Sequence, residues 1–155
     1  MTLDRIDRRI LDLLQCDATM PVARIAERVG LSQTPCWKRI KKLEARGVIR
    51  ARVALVDPDA VGMRMTAFLV VEPAEQSPGW RDAFAAAIAE TPAAGDVHRL
   101  AGRSDFLVRV TVADLPALDA LVEGLKSRVA MRSCEVMMSA ERVRSTTAIA
   151  LGAAA

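Results

Sequence analysis

Ser32-Gln33-Thr34-Pro35-Cys36-Trp37-Lys38-Arg39-Ile40-Lys41-Lys42-Leu43-Glu44-Ala45-Arg46-Gly47-Val48-Ile49 is a helix written with both of its ends. Ser32 fits an N-cap, and Pro35 stands in the first turn, where a missing N–H does least harm. Gly47 is a favourable C-terminal stop. Between these signals Cys36, Ile40 and Leu43 recur at helical spacing and can face a core, while Thr34, Lys38, Lys41 and Lys42 project elsewhere. Lys38, Arg39, Lys41, Lys42 and Arg46 stand against the single acid Glu44. A short, capped, one-sidedly basic helix suits insertion into a polyanionic groove.

Upstream, Leu3, Ile6, Ile10 and Leu14 form an apolar stripe through Leu3–Cys16, with Asp4, Asp7, Arg8 and Asp12 on other faces, which predicts a first amphipathic helix. Pro21 can begin a second, with Val22, Ile25, Ala26 and Val29 as its stripe and Gly30 as its end. The connection Gly30-Leu31-Ser32 is as short as a helix-turn-helix requires. In that arrangement the last helix enters the major groove of duplex DNA. Lys and Arg on phosphates would supply most of the affinity and a steep salt dependence. Base reading would fall to Gln33, Thr34, Trp37, Lys38 and Lys41. Trp37 either joins them or packs against the first helix or a neighbouring subunit. A charge run is otherwise a solvated face, and the two preceding helices argue against that bland alternative.

The distribution of charge agrees. Residues 1–56 carry a net +6 and residues 57–155 a net −3 within a chain of 155 residues and net charge +3. A nucleic-acid-facing first part is thus joined to a part with another task. Cys16, Cys36 and Cys134 are odd in number and too far apart for a close-spaced metal or redox motif, which points to buried thiols in a reducing compartment. The start is too charged for a signal peptide and no apolar run approaches membrane-spanning length, so a cytoplasmic protein without a membrane partner is expected.

Val48–Val56 reads as a strand or extended segment leaving the helical unit. Beyond Asp57-Pro58-Asp59 and Gly62 the period changes. Ala67–Glu72, Val97–Ala101 and Phe106–Val112 read as strands, the last alternating cleanly; Pro78–Ala89 and Leu115–Ser127 read as helices, the second capped by Asp114. Cys134–Ser139 and Val143–Leu151 read as two further strands. The order β-α-β-β-α-β is a ferredoxin-like α+β pattern. Nothing supplies a nucleophile with its base, a phosphate-cradling loop or a metal cluster, and no cofactor is expected. An RNA-binding sheet would display stacking aromatics, but only 3% of this chain is aromatic.

Leu3-Asp4-Arg5-Ile6-Asp7 with Ile10-Leu11, then Val29-Gly30-Leu31-Ser32, Thr34-Pro35-Cys36, Arg39-Ile40, Leu43-Glu44 and Gly47-Val48-Ile49 resemble the leucine-responsive/asparagine regulator (Lrp/AsnC) family. The resemblance runs through nearly the whole chain. It implies an N-terminal three-helix (winged) helix-turn-helix over residues 1–50, a linker strand or hinge over 51–65, an effector-sensing βαββαβ RAM domain over 66–151 and a frayed tail over 152–155. It further implies homodimers that assemble into tetramers or octamers, and a small amino-acid-like effector bound between subunits. The expected DNA-facing set is Ser32, Gln33, Thr34, Pro35, Trp37, Lys38, Arg39, Lys41, Lys42 and Arg46.

The family's sensing signature Gly-x-x-Asp-x-Leu reads here Gly102-Arg103-Ser104-Asp105-Phe106-Leu107. Exposed N–H groups near Gly102 could hold a carboxylate, and Asp105 could pair with an ammonium group. By residue type alone the same loop is an ordinary turn. His98, the only histidine, sits in a predicted strand nearby, either touching the effector or serving the strand structurally. Met137, Met138 and Ser139 lie where a partner subunit could complete the pocket, or are simply core. Two departures stand out: Ala51-Arg52 replaces the family's usual Gly-Tyr before the linker, and Arg103 stands where many relatives have an acidic or small residue. A sensor acting without direct DNA binding is the alternative function.

Overall fold

Asp4 accepts a hydrogen bond from the Asp7 amide at 2.7 Å and thereby starts helix α1, Arg5–Cys16. Helix α2, Val22–Val29, ends where Gly30 turns left-handed at φ 72°, a conformation that favours glycine, and the Leu31 amide closes back on the Ala26 carbonyl. Three residues later α3 spans Gln33–Ala45. Ile10, Ile25, Cys36, Ile40 and Leu43 from the three helices are essentially withdrawn from water and form one small core. The apolar stripes are the reason for the fold here, since each helix alone is too short to persist.

The computed structural model describes residues 3–101 and 105–152. They divide into two compact units, one ending at Leu55 and joined by the chain from Arg144 onward, the other spanning Val56–Val143. The second unit holds strands β1 (Met65–Pro73), β2 (Ala94–Arg99), β3 (Phe106–Val112) and β4 (Met131–Met138), with helices α4 (Pro78–Ala89) and α5 (Leu115–Arg128). The sheet is antiparallel in the order β2-β3-β1-β4. Alternate residues Ala67, Leu69 and Val71 of β1 and Val108, Val110 and Val112 of β3 pack with Trp80, Phe84, Leu118, Val122 and Leu125 from the helices. Trp80, Phe84 and Phe106 form an aromatic trio with centroid separations of 5.0, 5.6 and 4.8 Å. The ferredoxin-like α+β order is the one that periodicity predicts.

Three expectations fail. Val143–Leu151 is not a strand, and this segment leaves the sheet unit. It straps α1 instead: Gln15 donates to the Ile149 carbonyl at 3.1 Å and accepts from the Ile149 amide at 2.7 Å, Arg8 donates to the Leu151 carbonyl, and Leu151 packs on the head core. Of the two readings of Val48–Val56 the strand falls and the segment without strand pairing stands, and the implied wing is missing, since among the described residues the head unit has no strand. Val53, Leu55 and Val56 are exposed along this segment, so apolar residues of high β-propensity mark it without a pairing partner in the chain. Finally, β2 starts at Ala94 rather than Val97, because a bulge between Ala94 and Val97 lengthens it. Among the described residues no helix is long and apolar enough to cross a membrane.

Candidate nucleic-acid interface and effector loop

Burial of Cys36, Ile40 and Leu43 fixes the rotation of α3 and leaves Ser32, Gln33, Thr34, Pro35, Lys38, Lys41, Lys42 and Arg46 in solvent. Burial also pushes the Cys36 thiol up, keeping it a neutral packing group. Ser32 occupies the N-cap, but its hydroxyl makes no capping bond, so the first-turn amides remain available to an anion. Trp37 is 49% exposed and is not part of the head core.

Arg39 departs from the expected set. Its side chain is only one-third exposed and donates to Asp4 at 2.6 Å and Asp7 at 2.8 Å, tying α3 to the start of α1. The Asp7 amide and the Arg39 guanidinium hold the Asp4 carboxyl below the usual range. Arg39 is thus a clamp within the head, occupied by two carboxylates, while Lys38, Lys41, Lys42 and Arg46 are the exposed cations of α3 and its end. Lys41 is paired as well, with Glu44 at 2.8 Å, and Glu44 also accepts from Arg52 at 3.2 Å. Lys41, then Arg52, lower the Glu44 pKa. Arg52 further donates to the Ala18 carbonyl at 3.1 Å, which ties the segment after α3 back to the helices.

In the sheet unit the β2–β3 hairpin closes with the Leu100 amide on the Asp105 carbonyl at 2.8 Å. Gly102, Arg103 and Ser104 lie outside the described residues. Asp105 Oδ2 accepts from Gln76 Nε2 at 2.5 Å. His98 is exposed on β2 opposite Leu107, beside the same end of the sheet. Met138 and Ser139 are not there. Met138 is 61% exposed and pairs with Ala67, whereas Asp105 precedes Phe106, which pairs with Val71. Four residues along β1 is about 13 Å, and two strand spacings add roughly 10 Å across the sheet. Within one chain, therefore, the expected effector residues fall into two separate groups.

The sheet face away from the helices presents Phe68, Val70, Leu107 and Met137 at successive registers. Arg109 crosses this face to Asp96 at 3.0 Å, lying where a side chain on Gly95 would collide with its guanidinium at 2.7 Å. Sequence reading misses Gln76, Asp96 and Arg109. Their roles depend on pairings across the fold that carry no local signal. Among the described residues no group of three or more His, Cys, Asp or Glu side chains could hold a metal.

Residues 3–44 match the AsnC-type helix-turn-helix domain, and residues 66–149 the Lrp/AsnC ligand binding domain. The chain is 41% identical to the glutamate uptake regulatory protein of Zymomonas mobilis over 149 residues, 96% of this chain and 91% of that protein. It is 37% identical to the DNA-binding transcriptional activator DecR of Escherichia coli over 148 residues, 95% of this chain and 97% of that one. It superposes with a TM-score of 0.91 on transcriptional regulator NMB0573 of Neisseria meningitidis, solved with L-Met, at 30% identity and 97% coverage of both chains.

Proposed function

The chain belongs to the Lrp/AsnC family, and from that premise we propose that it is a DNA-binding transcription regulator controlled by an amino-acid effector. The observation that carries this reading is the face of α3: Gln33, Thr34, Lys38, Lys42 and Arg46 are exposed side by side on a helix whose other face is locked into the head core. Phosphates attract the cations, and polar side chains near the helix start read base edges. Such work takes place in the cytoplasm, and it requires no catalysis.

The effector site lies at Asp105 and its loop, with His98 beside it. The relative solved with L-Met supports an α-amino acid as ligand. An ammonium group suits the Asp105 carboxylate. Because Met138 and Ser139 stand too far from Asp105 in the same chain, they join the site only from a second copy. The apolar row Phe68, Val70, Leu107 and Met137 gives that second copy a surface to cover. A dimer then carries two heads to half-sites related by two-fold symmetry. An effector bound between copies favours one assembly, which links its affinity to that for DNA.

The test is a titration of the full chain against a duplex from its own upstream region, followed by fluorescence anisotropy at several salt concentrations. Lys38→Ala with Lys42→Ala should weaken binding by tenfold or more (about 1.4 kcal/mol or more) and flatten the salt slope by about 0.9 for each phosphate no longer neutralised. Unchanged affinity and slope would overturn the assignment of this face.

A further inference from the structure

Gln76 lies on the connection from β1 to α4, one residue before Ser77, whose Oγ accepts from the Trp80 amide at 3.1 Å and caps the helix. Its amide nitrogen reaches Asp105 across 29 positions of sequence. Both ends of this bond stand on one buried foundation. Trp80 follows the cap, Phe106 follows Asp105, and their rings lie 5.6 Å apart with Phe84 against both. The Trp80 indole also donates to the Ala130 carbonyl, which fixes the start of α4 from its other side. The two polar side chains meet because the aromatic trio sets the backbones that carry them.

The chemistry of the donor is informative. A carboxamide holds a carboxylate without cancelling its charge, where a lysine or arginine at position 76 would neutralise it. With Oδ2 accepting from the amide, the orientation of the carboxylate is set, and its second oxygen is a further acceptor by its chemistry. The Gln76 carboxamide also carries a carbonyl, a neutral acceptor. One charged and one neutral acceptor suit an ammonium group with three donors.

We propose that Gln76 is a further residue of the effector site, a positioning residue that holds the Asp105 carboxylate toward the α-ammonium group of a bound amino acid. The inference rests on the effector reading given above. It extends that site to the β1–α4 connection and assigns it the part of the ligand common to every amino acid.

The experiment is calorimetric titration of the full chain with the twenty proteinogenic amino acids, L-methionine first, and with the N-acetyl derivative of the strongest binder. Wild type should bind the amino acid and reject the N-acetyl form, and Asp105→Ala should abolish binding. Gln76→Leu should weaken the amino acid roughly three- to tenfold, the effect of losing one exposed hydrogen bond, and narrow its preference over the N-acetyl form. Gln76→Glu should give binding that falls more steeply than wild type's between about pH 7 and pH 5, because two adjacent carboxylates raise one another's pKa and share a proton. A merely structural role would not move ligand selectivity or the pH profile. If Asp105→Ala abolishes binding and both Gln76 variants match wild type, the proposal falls and the effector reading stands. If wild type binds no amino acid, or Asp105→Ala binds as wild type does, the effector reading falls and takes the proposal with it.

Discussion

The head and the sheet unit solve different problems with one chain. The head is finished: three helices close on a small core, Arg39 bolts α3 to α1, and the face meant for a ligand points outward in rigid register. The sheet unit is finished on one side only. Two helices and the aromatic trio seal one face, while Phe68, Val70, Leu107 and Met137 remain on the other, and the expected effector residues sit in two groups. A surface that addresses a large, regular polyanion can be built by one short helix. A pocket for a small ligand has to be assembled from distant pieces, which on the proposed reading come from more than one copy.

The contrast can be broken first at the core. Phe84→Ala, at 2% exposure, should cost about 3–5 kcal/mol. Calorimetry should then show the sheet unit melting early while the helical signal of the head persists; a single shared transition would mean the two units are one cooperative body. A subtler cut is Phe68→Asp on the open face. Each copy should still fold, sedimentation should show monomers, and DNA affinity should fall by at least tenfold as two linked heads become independent. Retained dimers would place the interface elsewhere.

The smallest expected effect concerns the Arg39 clamp. Arg39→Ala should lower stability by about 1 kcal/mol, since the pairs are partly exposed and salt-screened. Acid should repeat that loss reversibly. The Asp4 pKa is lowered by the Asp7 amide and by Arg39, so its contribution is complete above the unfolded value near 4 and disappears as pH falls through the folded one. Thermal melts from pH 6 to 3 on wild type and Asp4→Asn check this, with the variant expected to lose less.

What is legible in the sequence follows the same division. The three head helices, their turn and their buried stripes are local patterns, and Ser32, Gly30 and Gly47 mark the ends. Phe106–Val112 is legible because one face is buried and the other is not, so its alternation is clean. Val143–Leu151 misleads because β-branched residues signal an extended backbone without saying what it pairs with; here the partner is the side chain of Gln15. Arg39 reads as a phosphate ligand because charge is visible in sequence and pairing is not. Gln76 is silent for the same reason, its meaning resting wholly on a carboxylate met across the fold.

The strap on α1 has a consequence for how the protein is made. Arg8 and the Leu151 carbonyl it binds are separated by 143 positions, and a loop of that length costs about 4 kcal/mol to close from an open chain. That cost shrinks once the intervening strands and helices have folded and shortened the path. On the ribosome α1 emerges before the sheet unit, yet the partners of Arg8 and Gln15 are translated only after the whole of that unit. The head is therefore begun before the sheet unit and completed only after it.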